Sequence, residues 1–209
     1  PIPPEQLAAA CITVRGVEHA DGDLDAAIAS TDAAIVALEK ALAQTPSTER
    51  STLRHRIEQM LGNAYRLRGQ WRFNEHDLAA EMGEAAIAAA MYAQAQVEFD
   101  QAEQYFRAAL AGFPAETQPV YHAWTLVGLG TLDQLRGFLA LRQEGQAAAL
   151  PWLEESVSSY QACVDLRDDV QGNLVFLNKV LGCSCVYYRD VVQGIISDTV
   201  QVQSVGGNP

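Results

Sequence analysis

The sequence of 209 residues is poor in positive charge and has no long apolar run. Fourteen Lys and Arg stand against 26 Asp and Glu, which gives a formal net charge of −12. A surface of this sign repels a phosphate backbone and an anionic membrane alike, so the composition argues against a nucleic-acid binder. No uninterrupted apolar run approaches the ~20 residues that cross a bilayer, so we predict no membrane insertion.

Cysteine is scarce. The four candidate disulfide partners, Cys11, Cys163, Cys183 and Cys185, are too few for a disulfide scaffold, and they lack the C-x-x-C spacing of zinc and thioredoxin-type sites. One interpretation is four buried thiols; the other is pairing in an oxidising compartment. Cys183 and Cys185 point about 200° apart on a helix, so each would pair with another element rather than with its neighbour. Cytoplasmic and exported locations both stay open.

The motifs that carry catalysis are also missing. The sequence has no Gly-rich phosphate loop, no nucleophile elbow and no HExxH pair. Glu75, His76 and Asp77 are adjacent, but neighbours on a helix point to different faces. The run "DGDLD" resembles the start of a calcium loop, yet Ala26 stands where that loop requires Gly. We therefore predict a non-enzymatic protein with no metal or other cofactor.

Apolar residues at helical spacing are abundant, because hydrophobic residues make up 49% of the chain. Their steps of three and four predict helices, with Gly or Pro at the ends. From Asn74 a helix-favouring run either continues for about 24 residues or breaks at Gly83, and we favour the break. We expect Gly69 to end the helix before this run and Asp100 to cap the helix after it. The predicted helices cover about 4–14, 23–45, 48–67, 74–83, 84–99, 100–111, 119–144, 146–166 and 173–193.

A unit of two helices recurs along the chain, with small residues where helices approach closely. Through these residues the chain resembles the tetratricopeptide repeat family over roughly residues 4 to 193. Thr31 and Ser156 depart from the pattern, because a larger or apolar residue is commoner there. The residues that carry the resemblance are "GDLDAAIAS", "LGNAYRLRG" with Gly62, Tyr65 and Gly69, then Ala102, Phe106, Ala109 and Pro114, and "GQAAALPWLEES" with Ala149, Leu153 and Ser156.

The resemblance implies an all-α fold, a right-handed superhelical array of antiparallel helix pairs with about eight or nine helices. We place this helical repeat domain at residues 1–194. The remaining residues, 195–209, alternate briefly between apolar and polar side chains in "VQVQ", and we expect an extended C-terminal tail.

The resemblance also implies a groove that binds a peptide or a partner protein. Arg56, Asn63 and Arg66 share one face of the third predicted helix and would look into this groove. Residues 50–72 hold six Arg against the single acid Glu58, so we predict an acidic or C-terminal carboxylate ligand. The alternative is that these arginines pair with acids of their own protein.

A second function stays open, because neither end of the array resembles a polar cap. The first helix contains "LAAACITV", and the last, "LVFLNKVLGCSCVYYRDVV", is apolar on more than one face. Uncapped repeats associate end to end. A protein–protein interaction scaffold is therefore the first prediction, and a self-assembling structural subunit, a homo-oligomer or filament in the cytoplasm or outside the cell, is the alternative.

Overall fold

The structure is a computed structural model that describes residues 24–45, 52–169 and 182–206. These residues form six α-helices and no strand, which confirms the predicted all-α class. The helices are α1 (Leu24–Gln44), α2 (Thr52–Glu81), α3 (Ala85–Gly112), α4 (Pro119–Gln143), α5 (Gln146–Asp169) and α6 (Gly182–Gly206).

The chain divides into two compact units, Pro1–Phe113 and Pro114–Pro209. In the first unit α2 packs against both α1 and α3, and in the second α5 packs against both α4 and α6. Each unit is therefore a helical hairpin with one further helix on its side. The prediction of one repeat domain over residues 1–194 stays a prediction.

The hairpin turns follow local chemistry that the sequence shows directly. Gly83 and Gly145 have φ angles of 76° and 90°, a region that favours glycine, and each lies two residues after the last residue of a helix. The predicted break at Gly83 and the predicted end before Gly145 are confirmed. Helix α4 begins at Pro119 as expected, since proline suits the first helical position.

Two predicted helix boundaries are wrong. Gly69 does not end a helix, because α2 continues through it to Glu81. Asp100 does not begin one, because α3 runs without interruption from Ala85 to Gly112. Gly69 is present for a tertiary reason instead: a Cβ atom there would lie 2.5 Å from the Phe99 ring of α3. Each long helix thus replaces two shorter predicted ones.

This fusion explains most of the difference between the six helices of the described residues and the eight or nine expected. The helix predicted near Pro4 lies outside the described residues. The extended tail predicted for 195–209 is wrong up to Gly206, because α6 continues to that residue. The α2–α3 pair from Thr52 to Gly112 is also much longer than the 34-residue unit of tetratricopeptide repeats.

Helices α1, α3 and α5 share one packing pattern. Five buried positions recur in each at steps of four, three, four and three, and none is more than 3% exposed. Small and large residues alternate at these positions, as helices in close contact require. The sets are Ala27, Thr31, Ala34, Leu38 and Ala41 in α1; Ala95, Phe99, Ala102, Phe106 and Ala109 in α3; and Ala149, Leu153, Ser156, Tyr160 and Cys163 in α5.

The two hydroxyl residues that depart from the family pattern are accommodated by hydrogen bonds. Thr31 Oγ1 donates to the Ala27 carbonyl oxygen of its own helix at 2.8 Å. Ser156 Oγ donates across the hairpin to the Gly130 carbonyl oxygen at 2.7 Å. Because a buried hydroxyl with a partner avoids most of the desolvation penalty, Thr31 fits a position where Phe99 and Leu153 stand in the other helices, and Ser156 fits one where alanine stands.

The partner helices α2 and α4 meet these large residues with glycines spaced by seven. A Cβ atom at Gly62 would lie 2.7 Å from the Phe106 ring, so Gly62 faces Phe106 in the same way that Gly69 faces Phe99. In the second unit, a Cβ atom at Gly130 would lie 2.9 Å from the Tyr160 ring, and one at Gly137 would lie 2.6 Å from the Leu153 side chain. The two hairpins therefore repeat the same packing, two large side chains of one helix seated on two glycines of the other.

We predict that Ala102→Leu destabilises the first unit by ~1 to 3 kcal/mol, because Ala102 is fully buried where α3 faces α2. The matched control is Ala108→Leu on the exposed face of the same helix, which should be nearly neutral. Urea denaturation followed by circular dichroism measures both. Equal stability of the two variants would show that the packing pattern is wrongly assigned.

Candidate functional site

The three residues predicted to bind a partner lie on α2 with very different exposure. Arg56 is exposed, Asn63 is half-buried and Arg66 is only 9% exposed. The Asn63 side-chain amide donates to the Gln59 carbonyl oxygen at 3.2 Å. Arg56 is therefore the member of the predicted set that a ligand reaches most easily, and binding by this face remains a prediction.

Other arginines of the same segment pair with acids of this protein. Arg54 forms an ion pair with Glu58 at 3.2 Å and donates to the Thr45 carbonyl oxygen at 3.1 Å. Arg72 forms an ion pair with Glu75 at 2.7 Å. Much of the positive charge expected to attract an acidic ligand is thus neutralised within the protein, as the alternative interpretation anticipated.

Arg68 joins all three helices of the first unit. Its Nη1 lies 2.7 Å from Asp32 Oδ1 of α1, and its Nη2 lies 2.7 Å from Glu98 Oε2 of α3. Burial tends to lower the pKa of this guanidinium, but the hydrogen bonds to Glu98 and Asp32 raise it above its ordinary value. Arg68 is consequently an internal crosslink and not part of a ligand site.

Tyr65 lies one turn before Arg68 on α2 and also contacts both α1 and α3. Its hydroxyl donates to Glu39 Oε1 of α1 at 2.6 Å, its ring stacks on Tyr105 of α3, and the Arg68 guanidinium lies 4.9 Å from its ring centre. Burial first, and then the hydrogen bond to Glu39, raise the pKa of Tyr65 well above its ordinary value of 10.0. The neutral phenol is therefore the form that the fold stabilises.

We predict that the first unit loses stability above pH 10 through Tyr65. The folded protein retains the phenolic proton where the unfolded chain releases it, so this contribution is present below pH 10 and is lost as the pH rises through the raised pKa. In urea unfolding between pH 8 and 11, the free energy of unfolding should fall less steeply with pH for Tyr65→Phe than for the wild type. Tyr187→Phe, at an exposed tyrosine, is the control, and identical slopes for all three proteins would contradict the assignment.

A histidine lies where α2 begins and α3 ends. His55 Nδ1 lies 2.8 Å from Glu58 Oε2, and the His55 ring packs edge-on against Phe113. A side chain at Gly112 would collide with this ring, so Gly112 leaves the space that His55 occupies. This group packs the open end of the α2–α3 hairpin.

In the second unit, a disulfide joins Cys163 of α5 to Cys185 of α6, with Cα atoms 6.1 Å apart. Cys11 lies outside the described residues, and so does the side chain of Cys183. A crosslink that closes a loop of this length stabilises a fold by roughly 3 kcal/mol in the chain-entropy account. The bond forms only where the chain meets oxidising conditions.

The sequence interpretation missed an apolar surface at the tip of the α2–α3 hairpin. Leu78, Met82 and Ile87 are 54%, 64% and 50% exposed, and Met91 beside them is half-buried. We call Met82, Ile87 and Met91 the tip patch; Leu78 follows Gly69 by nine residues and so lies on the opposite face of α2. Ile87 and Met91 lie off the steps that place the buried residues of α3, and that mismatch is the signal that the sequence offers.

Within the described residues, no group of three or more His, Cys, Asp or Glu side chains has the arrangement to hold a metal ion. Nor does any helix in that part of the chain combine the length and apolar character needed to cross a membrane, in agreement with the prediction of no membrane insertion.

Comparison with known proteins gives no family for this chain. No protein-family model matches the sequence, and neither the curated proteins nor the solved structures contain a significant match.

Proposed function

We propose that the protein is a non-enzymatic interaction scaffold of the helical-repeat type, which binds a peptide or partner protein on the surface of its helix pairs. The observation that carries this proposal is the packing pattern shared by α1, α3 and α5, with its glycine counterparts in α2 and α4. Repeated helix pairs stack into extended surfaces that serve binding more often than catalysis. A tetratricopeptide-like solenoid is the arrangement we infer for the repeats.

The surface we assign to the ligand is the face of α2 that carries Arg56 and Asn63. Arg56 is exposed and Asn63 is half-buried, so a guanidinium and an amide are offered to solvent seven residues apart on one face. Arg binds carboxylates with two parallel hydrogen bonds, and an amide adds a donor. An acidic peptide, or the carboxyl terminus of a partner, fits this combination.

We predict that Arg56→Glu weakens binding of an acidic peptide by about 1.5 to 3 kcal/mol, since a charge-assisted hydrogen bond is lost and a repulsion is gained. The control is Arg107→Glu, which makes the same charge change at the exposed Arg107 of α3. Fluorescence anisotropy with a labelled Asp/Glu-rich octapeptide measures both. Equal affinity for the two variants at low salt would remove this face from the proposal. Arg66 is left intact, because its burial links it to the fold.

Self-assembly remains the second candidate function, and α6 favours it. Tyr187 is 63% exposed and Tyr188 is 40% exposed on this last helix, although Tyr188 also stacks on Tyr160 of α5. A large aromatic side chain as exposed as Tyr187 is typical of a surface that receives another subunit. In this second function, a helix of a second copy packs on Tyr187.

We predict that, if the chain self-assembles, Tyr187→Ser lowers the association constant at least tenfold and leaves helical content unchanged, because Tyr187 does not contribute to the core. Sedimentation equilibrium from 5 to 200 µM measures association, with Leu53→Ser, at an exposed leucine of α2, as control. A wild-type protein that stays monomeric at all concentrations would eliminate this second function.

A further inference from the structure

The α2–α3 hairpin is about two turns longer than its counterpart in the second unit. Helix α2 continues beyond Gly69 to Glu81, twice as far as α4 continues beyond Gly137 to Gln143. The start of α3 at Ala85 likewise lies twice as far from Phe99 as the start of α5 lies from Leu153. At 1.5 Å per residue, the first hairpin extends about 10 Å further beyond its glycine contacts. The tip patch lies on this extra length.

The hairpin does not need the tip patch for its own packing. Where the two helices meet in the extension, the buried residues are His76 and Ala79 of α2 and Ala88 of α3. Leu78, Met82 and Ile87 are half or more exposed instead. The helices thus meet in the extension without these three large apolar side chains. Large apolar side chains that are left in solvent indicate an interaction surface.

The tip patch continues the surface on which α1 packs. Ile87 precedes Glu98 by about three helical turns and Met91 precedes it by about two, so both lie on the same face of α3 as Glu98. That face borders α1, because Arg68 bridges Glu98 and Asp32.

Helix α1 runs antiparallel to α2, with Asp32 opposite Arg68 and Glu39 opposite Tyr65. Its first residue, Leu24, therefore reaches about the level of His76. The tip patch begins just beyond this level, on a continuation of the surface that receives α1. A second helix fits there.

The charge around the patch has one sign. From Phe73 to Phe106 the chain carries seven acidic residues and no Lys or Arg, and three of the seven, Glu75, Glu98 and Glu103, pair with arginines outside this stretch. Glu81 and Glu84, on either side of Met82, form no ion pair within the part of the chain that the structure describes. A second copy of this tip would bring like charges together, and an anionic membrane would be repelled. The occupant that fits is apolar on one face and basic on its flanks.

We propose that the tip patch binds the apolar face of a basic amphipathic helix from a partner protein. Ile87 supplies a fixed apolar anchor, and Met82 and Met91 adapt to the side chains of the incoming helix. Lys or Arg on the flanks of that helix pair with Glu81 and Glu84. This inference goes beyond the proposed function, since it concerns a different surface and a partner of opposite charge, and either can fail while the other stands.

Two 18-residue peptides test the charge requirement on the full chain. Both carry Leu at i, i+3, i+4 and i+7; one has Lys on its polar face and the other has Glu at the same positions. Titration calorimetry at 150 mM salt should show the Lys peptide binding at least tenfold more tightly. Glu81→Gln with Glu84→Gln should reduce that preference, and Glu154→Gln with Glu155→Gln in α5 should not. Equal binding of the two peptides would overturn the proposal.

The apolar anchors are tested with variants that leave the charge unchanged. Met82→Ser combined with Ile87→Ser should weaken the Lys peptide at least tenfold without a change in helical content. Val36→Ser combined with Val97→Ser removes two equally exposed apolar residues of the same unit outside the patch, and should bind as the wild type does. Loss of binding in both double variants, or in neither, would contradict the assignment of the patch.

Other occupants of the tip patch would give different experimental results. A Met82→Cys variant should react quickly with a polar maleimide, as located by peptide mass mapping, and the Lys peptide should slow the reaction at least tenfold. Protection in the peptide-free monomer would mean that another segment of the chain, residues 1–23 included, covers the patch. A dimer that Met82→Ser with Ile87→Ser dissociates would assign the patch to a second copy. Either result would overturn the basic-helix proposal.

Discussion

The structure depends on the close approach of two helices at glycine. Where Gly62 and Gly69 face Phe106 and Phe99, the backbone of α2 lies against aromatic rings with no Cβ atom between them. An interior glycine costs a helix about 1 kcal/mol relative to alanine, and burial of a large aromatic side chain offsets more than that. The spacing of seven repeats the contact two turns along the same face. The rest of each hairpin is arranged around these contacts.

The packing of α2 against α3 positions the polar group of the first unit, which consists of Arg68, Glu98 and Asp32. Once α2 and α3 are in register, Arg68 of α2 and Glu98 of α3 lie on the side where α1 arrives, and Asp32 completes the group. A charge-assisted network of this kind fixes the register of α1 more than it adds stability, because desolvation of the ions offsets much of the attraction. The same network removes Arg68 from any role in binding an acidic ligand.

The sequence allowed prediction of the features whose causes are local. The positive φ angles at Gly83 and Gly145 and the helix start at Pro119 depend on the residue itself. Gly69 was misread because its role depends on Phe99, which lies on a different helix, and a glycine in a helix contact has the same letter as one that ends a helix. The candidate site divides in the same way: helical periodicity places Arg56 and Asn63 on one face, whereas the partners of the other arginines lie on helices that periodicity does not locate.

The different lengths of the two hairpins show how a repeat can gain a surface without losing its core. Seven residues make about 1.94 turns, so an addition of this size to a helix rotates its face by only about 20°. The buried face therefore continues into the extension, where Ala88 precedes Ala95 by seven residues and stays buried. The opposite faces are released from packing and can carry other chemistry. In this chain they carry large apolar side chains within an acidic segment, a combination that the packing of the hairpin does not require.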